Sequence, residues 1–266
     1  ADNVMIGVLS FAGAVAFVPE LQDKDPHTTE KELWLNTELH AHGAGLLLSQ
    51  WHARIFWFGE TAKTDNFKSN GINCYSSDNL RHWRFEKLAL SQSDIRGPTA
   101  SEQQKWLHSF SHFNGEYSPE AAWIVERPKV LFNRHTGLFV MWFHLDGPRR
   151  GQTRSWESYK RGVGCVGVAT SHTPCGPYTF VHAIKPLGWV SPGDISLMQD
   201  DDGSAFAAVA HKNQKVVILQ LSDDYTNAEG VRSELYERRE GLALFRWGRT
   251  YHLAASRVTG WNPNPT

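Results

Sequence analysis

Cysteine and methionine are scarce, at three each in 266 residues. Cys74, Cys165 and Cys175 are odd in number and lie in separate strand-like segments, so the sequence predicts neither a disulfide framework nor a CxxC metal pattern. Cys165, inside Gly162-Val-Gly-Cys-Val-Gly-Val-Ala169, reads as a small core residue. An excess of either charge is also missing. With 27 basic and 28 acidic side chains the net charge is −1, which provides no footprint for nucleic-acid phosphates. The chain has no glycine-rich phosphate loop, no zinc signature, no nucleophile elbow and no Asn-X-Ser/Thr acceptor. No apolar run reaches membrane-spanning length. The longest, Val4 to Val18, covers about fifteen residues before Pro19, short of a span and near the length of a secretory h-region. Neither a Met nor a basic segment precedes it. Residues 1–33 are therefore read either as a leader or anchor remnant or as an arm packed on the domain, with the leader reading pointing to a secreted or secretory-pathway protein.

What is abundant is aromatic and small: 11 Trp, 14 Phe, 7 Tyr and 22 Gly, within a 41% hydrophobic composition that can bury a core. Helical periodicity is almost absent, and short alternating strands are broken by Gly, Asp and Asn. Arg54 to Gly59 and Gly71 to Ser76 read as strands, with a turn at Ser77 to Trp83 before an outer strand, Arg84 to Leu88. The phrase recurs as a hairpin around Arg134 to Gly137, then Val163 to Ala169 and Tyr178 to His182. A third copy runs from Ile195 through the Asp200-Asp-Asp-Gly203 turn to Leu221, and a fourth begins at Ala243 and turns at Trp247-Gly248. Copies starting near Leu46, Pro128, Ile195 and Ala243, roughly 50 to 80 residues apart, predict propeller blades. Residues 97–123 and 147–161 read as insertions. Three blades and the inner half of a fourth are countable before Thr266. Because a propeller must close on itself, the sequence predicts an all-β propeller over residues 34–266, truncated before its last blade.

Among chemistry-bearing residues, His40-Ala-His42 offers two metal ligands without a suitably spaced third, and Asp200 to Gly203 reads as a hairpin turn rather than a calcium loop. The pattern that stands out is a carboxylate at the start of three inner strands: Glu126, Asp194 and Glu240. In a propeller such residues point into the central cavity at one face. Acids in one repeat position would thus converge although far apart in sequence. Convergent carboxylates are the machinery of glycoside hydrolysis, and crowding raises the pKa of at least one of them. The competing reading is capping or salt-bridging with Arg127, Arg238 and Arg239. The wealth of flat rings also suits stacking on sugars.

Several of these segments resemble glycoside hydrolase family 43. They are Glu126-Arg-Pro-Lys-Val-Leu-Phe-Asn133, Met141-Trp-Phe-His-Leu-Asp146, Val163 to Ala169 with Gly176-Pro177, Asp200 to Gly203, Leu221 to Tyr225, Arg239-Glu240 and Thr259 to Asn264. Phe56 to Glu60 and Cys74 to Asp78 are similar to the first blade of its exo-β-1,3-galactanase branch. The resemblance implies a five-bladed β-propeller and inverting release of galactose from β-1,3-galactan, the backbone of arabinogalactan. It needs no metal or organic cofactor. By the same resemblance Glu240 falls on the general acid, Asp194 on the carboxylate that tunes and orients it, and Glu126 on a glutamate of the cavity floor at the reaction centre. Glu60, Asn213 and Thr259 match galactose-contacting positions, Trp261 a stacking or packing neighbour, and Tyr159 a loop tyrosine of the subsite. The sequence departs from the wider family where His40 to Gly45 replaces a catalytic-base Asp, where Asn36-Thr37 replaces Asp-Thr, and where Gly241-Leu242 follows the acid. The galactanase branch shares the first departure and resembles an enzyme that uses a final-blade glutamine, a position expected beyond Thr266. The expected partner is a β-1,3-galactan or related polysaccharide, met by a monomer without nucleic acid or a membrane span. Two rival readings stay open: a carbohydrate-binding propeller without catalysis, and a family 43 enzyme acting on arabinan or xylan.

Overall fold

The structure, a computed structural model, describes residues 39–49, 53–61, 71–95, 124–146 and 164–258. Fourteen strands in these residues form four separate antiparallel sheets, each a meander in chain order. The first sheet holds β1 (His42–Ser49), β2 (Arg54–Glu60), β3 (Gly71–Ser77) and β4 (Arg84–Ser91). The second holds β5 (Ile124–Asn133), β6 (Leu138–Asp146), β7 (Cys165–Ser171) and β8 (Thr179–Ile184). The third holds β9 (Pro192–Gln199), β10 (Ala205–His211), β11 (Lys215–Leu221) and β12 (Ala228–Leu235); β13 (Arg239–Trp247) and β14 (Thr250–Arg257) pair as a fourth. The expected three blades and half of a fourth are therefore present. Each inner strand begins a few residues earlier than predicted, because a bulge precedes its regular pairing.

Strand periodicity explains how the sheets stack. Successive side chains point to opposite faces, and on β6 Phe139, Met141, Phe143 and Leu145 join one core with Leu47, Phe56, Phe58 and Ile72 of the first sheet. Their alternates Val140 and Trp142 join another core with Ile195, Ala207, Val209 and Leu219 of the third. On β10, Ala208 and Ala210 turn the other way, toward Leu242, Leu244 and Leu253 of the fourth. Middle strands are flanked on both edges by other strands, outer ones on one edge only. Middle strand β3 is buried at every residue, its polar Asn73, Ser76 and Ser77 included, whereas outer β4 and β12 carry exposed positions. Inner strands β1, β5, β9 and β13 adjoin in that order. The approach of β1 to β5 is close enough that a Cβ on Gly45 would stand 2.2 Å from the Pro128 carbonyl oxygen.

Directional contacts pin these apolar interfaces. Trp142 Nε1 donates to the Tyr225 carbonyl at 2.7 Å, Asn133 Nδ2 to the Asp223 carbonyl at 2.6 Å, and the Leu244 amide to Ser196 Oγ at 2.9 Å. One link overturns the expectation of no disulfide: Cys74 on β3 is bonded to Cys175 in the turn before β8, joining the first and second sheets. Odd parity excluded only a fully paired set; Cys165 is the buried free thiol. The arm at residues 1–33, the insertions and the chain beyond Val258 lie outside the described residues. Among the described residues no helix is long and apolar enough to cross a membrane.

The bridge closes a loop with a sequence separation of 101 residues, so its loss frees a large denatured-state ensemble. Reduction, or the pair Cys74→Ser and Cys175→Ser, is expected to lower unfolding free energy by about 2–4 kcal/mol. Denaturant titration with and without reductant measures this.

Candidate active site

Every inner strand starts with the same irregularity. Pairing steps from Glu126↔His144 to Lys129↔Trp142 in the second sheet, and from Glu240↔Ser256 to Ala243↔Ala254 in the fourth. It steps from His42↔Glu60 to Gly45↔Phe58 in the first and from Pro192↔His211 to Ile195↔Val209 in the third. In each case the inner strand spends one residue more than its partner, the definition of a bulge, which re-aims side chains at a strand end. Gly43, Arg127 and Gly241 follow the last residue paired before the bulge, with φ of +68°, +56° and +62°. Glycine adopts that left-handed conformation freely, but at Arg127 it costs of order 1–3 kcal/mol and must be held by contacts.

The contact that holds it comes from Asp194. Asp194 Oδ1 lies 2.9 Å from Arg127 Nε on β5, and Oδ2 accepts the Gly241 amide on β13 at 2.5 Å. One carboxylate thus binds the residue after Glu126 and the residue after Glu240. Asp194 thus ties together the strand ends that carry Glu126 and Glu240. The predicted equivalence of position needs correction: Glu126 and Glu240 share a register with His42, whereas the matching residue of β9 is Pro192. Asp194 sits two residues on, inside its bulge, and reaches sideways to both neighbours instead. The Arg127 ion pair anticipated as the competing role is real for Asp194, while Arg239 pairs with Glu237.

Around this centre lie further buried polar groups. Glu60, 1% exposed at the end of β2, has Oε1 against His42 Nδ1 and its other oxygen, Oε2, without a hydrogen-bond partner among the described residues. Asn213, in the turn between β10 and β11 at φ +52°, is likewise left with a buried, unpartnered Oδ1. It crowds the residue before Asp194, since a Cβ on Gly193 would stand 2.3 Å from that oxygen. Lys129 Nζ donates to the Gly43 carbonyl at 3.0 Å and the Pro128 carbonyl at 3.2 Å. Burial pulls its ammonium down to about 7, opposed by the charges of Asp194 and Glu60 and assisted by Arg127. Glu240 is partly exposed, and its carbonyl accepts from Ser256 Oγ at 3.0 Å. An open hollow of about 350 Å³ adjoins it, lined by Glu237, Arg238, Arg239, Arg257 and Val258. Tyr159, Thr259 and Trp261 lie outside the described residues.

Sequence reasoning gave no role to His144 and Asp146, which lie beside Glu126. His144 on β6 is 5% exposed, with Nδ1 3.6 Å from Glu126 Oε2 and Nε2 3.6 Å from Asp146 Oδ2. Asp146 Oδ1 accepts the Gly164 amide at 3.0 Å. At 3.6 Å both His144 contacts are ion pairs longer than hydrogen bonds, and Nε2 has no hydrogen-bond partner among the described residues. Burial works against the imidazolium, but the charges of Asp146 and Glu126 outweigh it and raise His144 to about 10. The available signal was the His-X-Asp alternation at residues 144 and 146, which places both side chains on one face of a strand.

The stacked four-stranded meanders define a propeller-like all-β fold, and solved structures share it. An exo-β-1,3-galactanase from Phanerochaete chrysosporium, solved with galactose, is 33% identical at a TM-score of 0.66, over 88% of this chain and 48% of that one. Another from Clostridium thermocellum is 28% identical at a TM-score of 0.64, over 85% and 44%. A family 43 β-1,3-galactosidase solved with galactodeoxynojirimycin is 27% identical at a TM-score of 0.65, over 87% and 74%. This chain is thus similar in fold and sequence to exo-β-1,3-galactanases of glycoside hydrolase family 43, as its motifs predicted. It spans about half the length of the first two structures. No family sequence model matches it, and no curated protein sequence does.

Two bases, buried His144 and half-buried Lys129, titrate with opposite consequences. His144 binds its proton more tightly folded than the usual imidazole range near 6.5, so its contribution is full below that pH and fades as pH rises toward 10. Lys129 does the reverse: between pH 7 and 10 the unfolded chain holds the proton that the folded chain releases, so stability rises with pH. Each slope is at most about 1.4 kcal/mol per pH unit and the two oppose. Urea unfolding from pH 7 to 10 is expected to show stability rising with pH in His144→Gln and falling in Lys129→Met, relative to the native sequence.

Proposed function

We propose that the chain is the propeller of an inverting glycoside hydrolase that releases galactose from the end of a β-1,3-galactan. The observation that carries this reading is Asp194, whose two oxygens reach the residues following Glu126 and Glu240. Glu240 protonates the departing glycosidic oxygen. Asp194, anchored by Arg127 and the Gly241 amide, orients the segment bearing that acid. Glu126 lies on the cavity floor near the anomeric carbon, and water enters from the face opposite Glu240. Inversion requires the acid and the attacking water to act from opposite sides of the ring, with room for the water between.

The buried Glu60 Oε2 and Asn213 Oδ1 supply two acceptors for sugar hydroxyls. A buried acceptor left unbonded costs about 1–3 kcal/mol, which a hydroxyl would relieve. Thr259, Trp261 and Tyr159 complete the galactose contacts in this reading. The Phanerochaete chrysosporium structures, solved with β-1,3-galactotriose and with galactose, support the substrate class. The Cys74–Cys175 bridge supports a secretory location, because disulfides persist in oxidising compartments.

The full-length protein is expected to liberate galactose from β-1,3-galactan, with the α-anomer appearing first by proton NMR. Glu240→Gln is expected to lower kcat by about 10²–10⁴-fold while calorimetric binding of β-1,3-galactotriose persists. Undiminished hydrolysis by that variant would remove Glu240 from the acid role. Binding without any hydrolysis by the unaltered protein would favour the lectin-like reading, and cleavage of arabinan or xylan instead would move the specificity.

A further inference from the structure

The His144 line has a geometry that stability alone does not require. Glu126, His144 and Asp146 are 7%, 5% and 7% exposed, and the imidazole spans the two carboxylates at 3.6 Å on either side. The outer carboxylate is set by the backbone, through the 3.0 Å bond from the Gly164 amide to Asp146 Oδ1. That donor is fixed in turn: Gly164 has φ +54°, and a Cβ there would stand 2.6 Å from Ser191 Oγ. Well-packed apolar side chains generally match or exceed the stability of buried ion pairs, whereas a fixed charge needs such a frame. The first blade repeats the motif in reversed order, with His42 on the inner strand and Glu60 on the second. Among the described residues, only the second blade places the carboxylate on the inner strand and the imidazole on the next one.

We propose that His144, braced by Asp146, is a positioning residue for the reaction: it holds Glu126 ionised and in one orientation toward the anomeric carbon. The proposal rests on the function proposed above and deepens it. As the C–O bond breaks and Glu240 gives its proton to the leaving oxygen, positive charge grows on the anomeric carbon. A carboxylate already ionised and immobile stabilises that charge without reorganising. The charged groups facing His144 are Glu126 from β5 and Asp146 on its own strand. Cys165 on β7 lies one register step away, opposite Leu145, and burial holds its thiol neutral. The imidazolium raised to about 10 agrees with a permanent charge at neutral pH.

The test uses the full-length protein with β-1,3-galactotriose and the variants His144→Gln, His144→Lys and Asp146→Asn. His144→Gln is expected to lower kcat by about 10²-fold with little change in KM, because the loss falls on the transition state. Its acidic limb in the kcat/KM profile is expected to move up by about one pH unit as Glu126 loses its cation. His144→Lys restores a positive charge and is expected to bring that limb back, while Asp146→Asn shifts it in the same direction as His144→Gln by less. A His144→Gln profile that overlays the native one, or a kcat loss that His144→Lys does not relieve, overturns the proposal. A readout without substrate separates this from the function itself: the His144 ring nitrogens, followed by ¹⁵N NMR, are expected to stay doubly protonated to pH 8. A ring that titrates near 6.5 overturns the proposal, whereas native protein that cleaves no β-1,3-galactan overturns the function and leaves the ring titration to decide His144.

Discussion

Asp194 is the constraint on which the working face depends. Blades of this kind adhere through apolar faces, and apolar attraction is non-directional, so it sets how closely sheets stack but not how far they slide. Asp194 removes that freedom at one point. It is bound to the Arg127 guanidinium on one side and the Gly241 amide on the other, so three sheets share one carboxylate. Both partners are chain neighbours of glutamates, so one carboxylate constrains the chain beside Glu126 and Glu240. The remaining directional bonds, from Trp142, Asn133 and Ser196, perform the same service farther along the blades.

The bulges make this possible. An uninterrupted ladder would point residues of an inner strand alternately at its two neighbouring blades. One extra residue breaks the alternation and frees a side chain to reach along the face of the array. Three bulges are built on a left-handed residue, and two of these are glycine. The third is Arg127, whose strained backbone carries the guanidinium that meets Asp194; the ion pair and the strain are two aspects of one arrangement. The polar residues opposite the bulges, Glu60, His144, His211 and Ser256, form a second layer behind the first. In the first two blades that layer pairs a carboxylate with an imidazole, which lets charge be buried beside the centre.

Most of the blades were legible because strand order and hairpin turns are local properties. The strand read at residues 138–143 and the turns at 134–137 and 200–203 depend on neighbours a few positions apart; the turns fall where the pattern placed them and the strand runs on to Asp146. The bulges were not legible, since a bulge is a count taken against a partner strand. This is why Asp194 was given the same repeat position as the two glutamates when it lies two residues deeper. The disulfide escaped for a related reason: parity treats cysteines as a set, while a bridge forms wherever two happen to face each other. His144 and Asp146 were visible as a family-like motif but not as neighbours of Glu126, because that residue is on another strand.

By itself, then, the sequence determined an all-β chain of repeated meanders and a set of acids at the entrances of inner strands, because periodicity and turn chemistry act over short range. Only the tertiary structure decided which groups meet: Asp194 with Arg127 and Gly241, Cys74 with Cys175, and His144 between Glu126 and Asp146. Those meetings depend on sheet stacking and on one-residue slips in register, quantities that exist only between segments distant in the chain.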